Sequence, residues 1–190
     1  MTRARDLGDF IADGAAAELV VDTTTLVVDS TNNRVGIGTA SPATALDVVG
    51  NATITTADNS VQLTLVSTDA DANAGPILKL RRNSASPADN DLIGAIDWTS
   101  ENSSGDEHDF LNLTARMRDV TAGSEDVAYA WTAYLNGTGR EIQSFVNTDA
   151  SAASMVFNED SQDIDFRVES NGNANMLFVD GGNNAVGIGT

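Results

Sequence analysis

Residues 26–39 read LVVDSTNNRVGIGT, and residues 177–190 read LFVDGGNNAVGIGT. The copies agree at ten of fourteen positions: Leu, Val, Asp, both Asn, Val, Gly, Ile, Gly and Thr. Self-similarity of this kind marks a repeat architecture, in which one short supersecondary unit is used again. Each copy reads as a short strand, a tight turn at Asn32-Asn33 or at Gly181-Gly182-Asn183-Asn184, and a second short strand. Asn and Gly tolerate the positive φ that such a reversal needs. Alternating glycines in Val35-Gly36-Ile37-Gly38 leave one strand face without side chains, so another backbone can approach it closely. A hairpin of fourteen residues cannot bury its apolar residues alone. It needs neighbours, either along the chain or from other chains.

Working outward, residues 19–28 are rich in β-branched side chains and carry no helical period, which predicts β structure. After the first copy, residues 40–54 read as a turn marked by Pro42 and two more short strands. The middle of the chain alternates apolar and polar residues in several places. Val61-Gln62-Leu63-Thr64-Leu65 does so, and Leu92, Ile96 and Trp98 stand in phase. Leu111, Leu113, Ala115 and Met117 define one strand face, backed by Asn112, Thr114, Arg116 and Arg118. Val127, Tyr129, Trp131, Ala133 and Leu135 define another. Turn signals at 69–75, 83–90, 100–109, 121–126 and Asn136-Gly137 separate these runs, which predicts an antiparallel sandwich or jelly-roll-like sheet. Ile164, Phe166 and Val168 then lead through a turn at 170–173 into the second copy. The resulting division is 1–18, an N-terminal segment; 19–57, β-repeat; 58–150, antiparallel β domain; and 151–190, a second β-repeat segment. Because the first copy runs on past its glycines and the second stops at Thr190, we expect the natural chain to continue. Within residues 1–18, Leu7, Phe10 and Ile11 stand at i, i+3 and i+4 beside Arg3 and Arg5, which predicts either a short docking helix or a disordered docking segment.

Composition narrows function. The chain of 190 residues has 28 acidic against 10 basic side chains, a formal charge of −18. That balance opposes nucleic-acid binding, which needs a basic footprint, and docking on bare anionic lipid. Of the acids, 21 are Asp and 7 are Glu, an excess that suits turns and strands rather than helices. There is no Cys, so disulfides and thiolate metal sites are excluded. No apolar run is long enough for a signal-peptide core or a membrane span. We expect no membrane insertion and synthesis in the cytoplasm.

No motif points to catalysis. Gly36-Ile37-Gly38 would need a third glycine at Ser41 to form a dinucleotide loop, and no helix follows. Asp69-Ala70-Asp71-Ala72-Asn73 starts like a calcium loop, but Ala74 stands where Gly is needed and Leu80 where Glu is needed. A solvated turn is the expectation there. His108 is the one histidine and is expected at a polar loop tip. Arg116 and Arg118, on one strand face, are expected to pair with nearby carboxylates or a subunit contact. Tyr129 and Trp131 are expected to point into the core together, leaving Tyr134 opposite.

Asn32–Thr39, followed by Ala40-Ser41-Pro42 and then Ala45–Asn51, resembles a segment common in bacteriophage tail fibres, VGIGT-x-SP-x-x-x-L-x-V-x-G. Gly123-Ser124-Glu125-Asp126 before an alternating strand also resembles fibre domains of marine and cyanobacterial phages. The matching stretches cover about half of the chain. The resemblance implies an all-β, homotrimeric fibre whose shaft strands wrap a common axis. It implies that Val35, Gly36, Ile37, Gly38, Val186, Gly187, Ile188 and Gly189 pack the trimer. It also implies that Arg3, Arg5, Leu7, Phe10 and Ile11 dock on a tail or head protein of the virion. The expected function is structural and not enzymatic, with no cofactor and no metal: a link from the tail to a distal region that meets a host surface glycan. A bacterial surface adhesin or non-viral filament, and a glycan-depolymerising tailspike, are the alternatives. The tailspike would need a carboxylate pair spaced across a groove.

Overall fold

The computed structural model describes residues 18–21, 24–149 and 152–189. The described residues form twelve strands and no helix, so the chain is all-β as expected. Arg3, Arg5, Leu7, Phe10 and Ile11 lie outside the described residues. The chain divides into two compact units, one ending at Pro76 and the other starting at Ile77.

The first unit holds a four-stranded sheet in the order β1 (Glu18–Val21), β2 (Leu26–Asp29), β3 (Arg34–Ile37), β4 (Leu46–Val48). The β2–β3 hairpin is the first repeat copy, with Val27 opposite Gly36 and Val28 opposite Val35. Strand β4 then runs parallel to β3, Val35 opposite Leu46 and Ile37 opposite Val48. Parallel neighbours ordinarily require a crossover of a dozen or more residues. Here eight suffice, because the loop folds flat across the bare glycine: a Cβ on Gly36 would lie 2.7 Å from the Thr39 carbonyl oxygen and 3.5 Å from the Pro42 ring. Val27, Gly36 and Pro42 are all buried, and Val27 is the one buried aliphatic side chain among the described residues. Of the two strands expected after Pro42, only β4 forms. Residues 51–90 are exposed throughout and contain no strand. The alternating run at 61–65 is therefore not a strand within this chain: Val61, Leu63 and Leu65 are exposed, and no ladder partner faces them.

The second unit contains an up-and-down sheet of five antiparallel strands, β5 (Leu92–Glu101), β6 (Glu107–Asp119), β7 (Asp126–Leu135), β8 (Thr138–Asp149) and β9 (Ala152–Phe157). It is a single layer. The two-residue loop between β7 and β8 is Asn136-Gly137, with φ of 47° and 78°, the doubly positive geometry of a tight hairpin turn. Ile96, Trp98, Leu111, Leu113, Ala115, Tyr129, Trp131 and Phe145 share one face by register. The other face carries Asp97, Asn112, Thr114, Arg116, Ala128, Ala130, Thr132 and Ser144. A bulge between Leu92 and Gly94 shifts the phase expected at this point, so Leu92 pairs with Arg116 of the polar row.

The same unit also carries a three-stranded sheet, β10 (Phe166–Val168), β11 (Leu177–Asp180) and β12 (Ala185–Ile188). Its β11–β12 hairpin is the second repeat copy. Leu177 pairs with Ile188 and Phe178 with Gly187, the register of the first copy.

Candidate functional site

The repeat turns are built by the same chemistry. In the first copy, Asp29 Oδ1 accepts the Thr31 and Asn32 backbone N–H groups at 3.0 and 3.1 Å, and Oδ2 accepts the Asn32 side-chain amide at 2.8 Å. In the second, Asp180 Oδ1 accepts the Asn183 N–H at 2.7 Å and Oδ2 its side-chain amide at 2.9 Å. Asn33 and Asn184 follow with φ of 55° and 52°. The Asn side-chain amide, helped by backbone N–H groups, holds each aspartate below its usual 3.8. The conserved spacing within the chain, Asp-x-x-Asn-Asn, is thus a carboxylate that caps its own turn and an asparagine that closes it.

The hairpins sort the expected packing residues by face. Gly36 lies under the Thr39–Pro42 loop, and Gly38 (φ 75°) faces the Val49 carbonyl oxygen, which would sit 2.3 Å from a Cβ. The close backbone approach read from the glycines is therefore made, for the first copy, by the chain's own backbone. Val35 and Ile37 lie on the opposite face with Leu26, Val28, Leu46 and Val48. Nothing among the described residues covers that face, where Ile37 is 44 % and Leu46 62 % exposed. In the second copy Val186 (67 %) and Ile188 (78 %) share a face with Leu177, Val179, Phe166 and Val168. Gly187 sits opposite Phe178 on the reverse side, and Gly189 (φ 68°) has open space where a Cβ would go.

The apolar face of the five-stranded sheet is aromatic. Trp98 and Trp131 stack at 6.2 Å between ring centres, and Tyr129 stacks on Phe145 at 6.0 Å. Tyr129 and Trp131 do point to one side together, but onto a half-open surface rather than a closed core. A hollow of 350 Å³ opens there beside Leu80, Gly94, Ile96 and Leu113. On the opposite face, as expected for Tyr134, its ring packs on His108 at 4.8 Å and edge-on to Phe110 at 6.1 Å. His108 is accordingly not at a loop tip: it is half-buried near the start of β6, opposite Ser100, with Nε2 3.1 Å from the Asn102 side-chain amide.

The polar face forms a trough of 380 Å³ running along β7. Its floor is made of short side chains, Ala128, Ala130 and Ser144, and its sides carry Asn112, Thr114, Arg116, Arg118, Thr132 and Glu141. The expected carboxylate partners of the two arginines are absent from the described ion pairs, which are Arg82–Asp91 at 3.0 Å and Arg167–Glu169 at 2.5 Å. Both guanidinium groups instead grip one residue, Asn90. Arg116 Nη1 donates to its carbonyl oxygen at 2.7 Å, and Arg118 Nη1 to its Oδ1 at 2.6 Å. Asn90 is fixed in a left-handed conformation (φ 68°) by its own N–H, which donates to the Met117 carbonyl at 2.7 Å. At the far end, Asn112 donates its side-chain amide to Asp97. Ser144 is 1 % exposed, and its hydroxyl has no hydrogen-bond partner among the described residues. Ser144 and Glu141 escaped the sequence reading because β8 was not legible as a strand. A bulge at Ile142 places Gln143 opposite Trp131 but Glu141 opposite Thr132, which breaks the alternation.

Two acidic clusters lie outside the two sheet faces. At 69–73 the carboxylates of Asp69 and Asp71 accept the backbone N–H groups two residues on, at 3.2 and 2.8 Å, which is a series of solvated turns. Asp163, Asp165 and Asp180 bring carboxylate oxygens within 4.8 Å of one another at the second repeat turn. Asp165 there accepts the Gly181 N–H at 3.1 Å, so this cluster also serves its own backbone. No family model, no curated protein and no solved structure matches this chain.

Proposed function

We propose that the chain is a structural part of a phage tail fibre, a homotrimer that links the tail to a distal receptor-binding region for host attachment. One observation carries the reading. Both repeat copies, in identical register, present an apolar face that the described chain leaves largely open: Ile37 and Leu46 are exposed in one, and Val168, Val179, Val186 and Ile188 in the other, where Phe157 packs on Phe166. Exposed apolar surface of this extent on successive short sheets calls for partners of the same kind, repeated in step. Closure about a threefold axis covers such faces. It also hides the edges of open sheets, which otherwise invite uncontrolled strand pairing. The aromatic face around Trp98 and Trp131 is buried in the same way, and the second layer of the expected sandwich is then supplied by neighbouring chains. Residues 1–18 dock on the virion, and the role is mechanical rather than catalytic.

Light scattering on the purified chain tests this. Three times the chain mass is the expected result. A stable monomer, or a dimer, overturns the trimer and with it the fibre.

A further inference from the structure

We infer that the trough on the polar face of the five-stranded sheet is a binding site for an acidic oligosaccharide, with the sugar's carboxylate on Arg116 and Arg118. The site lies within one chain, so this inference goes beyond the fibre and does not depend on it.

The charge pattern selects the ligand. In a chain of 28 acids and 10 bases, two arginines two residues apart on one strand face have no carboxylate partner among the described ion pairs. Each spends one Nη on Asn90, which orients the planar fork and leaves its remaining donors available. A guanidinium fork matches a carboxylate in two parallel hydrogen bonds, and orientation in advance reduces the ordering cost of binding. At the opposite end stands Glu141. By register it lies beside Thr132, four residues along β7 from Ala128, the partner of Arg116. Four residues of strand span about 13 Å, too far for an ion pair and close to the length of two or three sugar rings. A ligand with acid along its whole length would meet repulsion from Glu141. A ligand with one acidic end and neutral hydroxyl-bearing rings would not.

The trough between those ends is equipped for hydroxyl groups. Asn112, Thr114 and Thr132 line it, and their side chains both donate and accept. Ser144, on the floor opposite Ala130, is a buried hydroxyl without a partner among the described residues. A buried polar group left unsatisfied in a free protein is the kind of group that a ligand completes. Tyr129 is the one aromatic residue that borders the trough, and by register its ring stands on the other face with Phe145, so recognition here is by charge and hydrogen bonds.

Sialyllactose is the probe, since it carries one carboxylate at one end and two neutral hexoses. Titration calorimetry with the full chain should give saturable binding that weakens as salt rises. Lactose should not bind at the same concentrations. Arg116→Ala with Arg118→Ala should lower affinity at least tenfold, while Arg167→Ala, an exposed arginine elsewhere, should leave it unchanged. Ser144→Ala should weaken binding several-fold without altering the salt dependence. The inference is overturned if sialyllactose shows no binding at about 10 mM, the weak end of specific recognition. It is also overturned if the double variant binds as well as the parent, or if inorganic phosphate binds as tightly as the trisaccharide. Circular dichroism on each variant separates lost binding from lost fold; if the double alanine variant unfolds, Arg116→Gln with Arg118→Gln replaces it and must meet the same tenfold criterion.

Discussion

Gly38 and Gly189 occupy the same place in the two repeat copies, and their surroundings make replacement by alanine cost different amounts. Both have positive φ, 75° and 68°. Both N–H groups reach back to the turn that precedes the hairpin, Gly38 to the Thr25 carbonyl at 3.4 Å and Gly189 to the Asn175 carbonyl at 3.0 Å. Forcing an L-residue into that region costs roughly 1–2 kcal/mol, and this applies to both. At Gly38 a second term enters. The new Cβ would sit 2.3 Å from the Val49 carbonyl oxygen, and that backbone must move. Moving it strains the bond from the Val49 N–H to the Ile37 carbonyl, 2.8 Å, which closes the β3–β4 pairing. One such bond is worth about 0.5–1.5 kcal/mol net. At Gly189 nothing described lies within 4 Å of the new Cβ. Gly38→Ala should therefore destabilise its hairpin by about 1.5–3.5 kcal/mol, and Gly189→Ala by about 1–2 kcal/mol. Native-state amide exchange reads each hairpin separately. Protection in β3 and β4 should fall about 10- to 300-fold in the first variant, and in β11 and β12 about 5- to 30-fold in the second. Equal losses would refute the steric argument. A larger loss at Gly189 would refute it more sharply, since it would mean that a neighbouring chain occupies the space beside that glycine.

Three other outcomes follow from the geometry. Asp29 and Asp180 are held below their usual pKa in the folded turns, so each contributes stability that is complete above the unfolded value near 3.8 and is lost as pH falls through the lower folded value; exchange of the Asn32 and Asn183 amides should accelerate only below about pH 4, and in Asp29→Ala the Asn32 amide should exchange fast at every pH. Val27→Ala removes two carbons from the one buried aliphatic position and should cost about 2 kcal/mol by the transfer and cavity terms together; an unchanged denaturation midpoint for the first unit would show that the loop over Gly36 excludes no water. Trp131→Asp places a charge on the apolar sheet face and should convert the assembly to monomers in light scattering, whereas Thr132→Asp, on the opposite face, should leave the mass unchanged.

Much of the local structure was legible in the residues. The two repeat hairpins, their Asn-based turns, the strands around Ile96, Leu113 and Trp131, and the Asn136-Gly137 reversal follow from period-two alternation and from the φ preferences of Asn and Gly. What failed did so for identifiable reasons. Strand β8 carries a bulge at Ile142 that breaks its alternation, so its polar members, and the floor of the trough with them, were hidden. His108 reads as a loop residue because acids surround it, yet β6 begins at Glu107 and the ring packs on Tyr134, a cross-strand contact that the β6–β7 pairing brings together. The pairing of Arg116 and Arg118 with carboxylates was inferred from net charge, whereas Asn90, held in a left-handed turn, took their place.

The run at 61–65 shows what a pattern can and cannot specify. Alternation fixes which residues share a face, because the side-chain period of a strand is two. It does not fix what supplies the hydrogen bonds at the edges or what covers the face. Within the described chain, Val61, Leu63 and Leu65 have the period of a strand and neither of its partners. The same holds one level up for the repeat sheets, which have their internal ladders but leave Ile37, Leu46, Val186 and Ile188 exposed among the described residues. An apolar period without a partner is a cost to a monomer, since the exposed surface gains nothing and the ordered backbone loses entropy. It becomes a gain once identical chains stand in register, for then each face and each edge meets its counterpart. If residues 61–65 pair between chains in the trimer, their amides should be protected from exchange in the assembly and exposed in the Trp131→Asp monomer. Protection that survives in the monomer would place the missing partner within the chain and remove this support for the fibre.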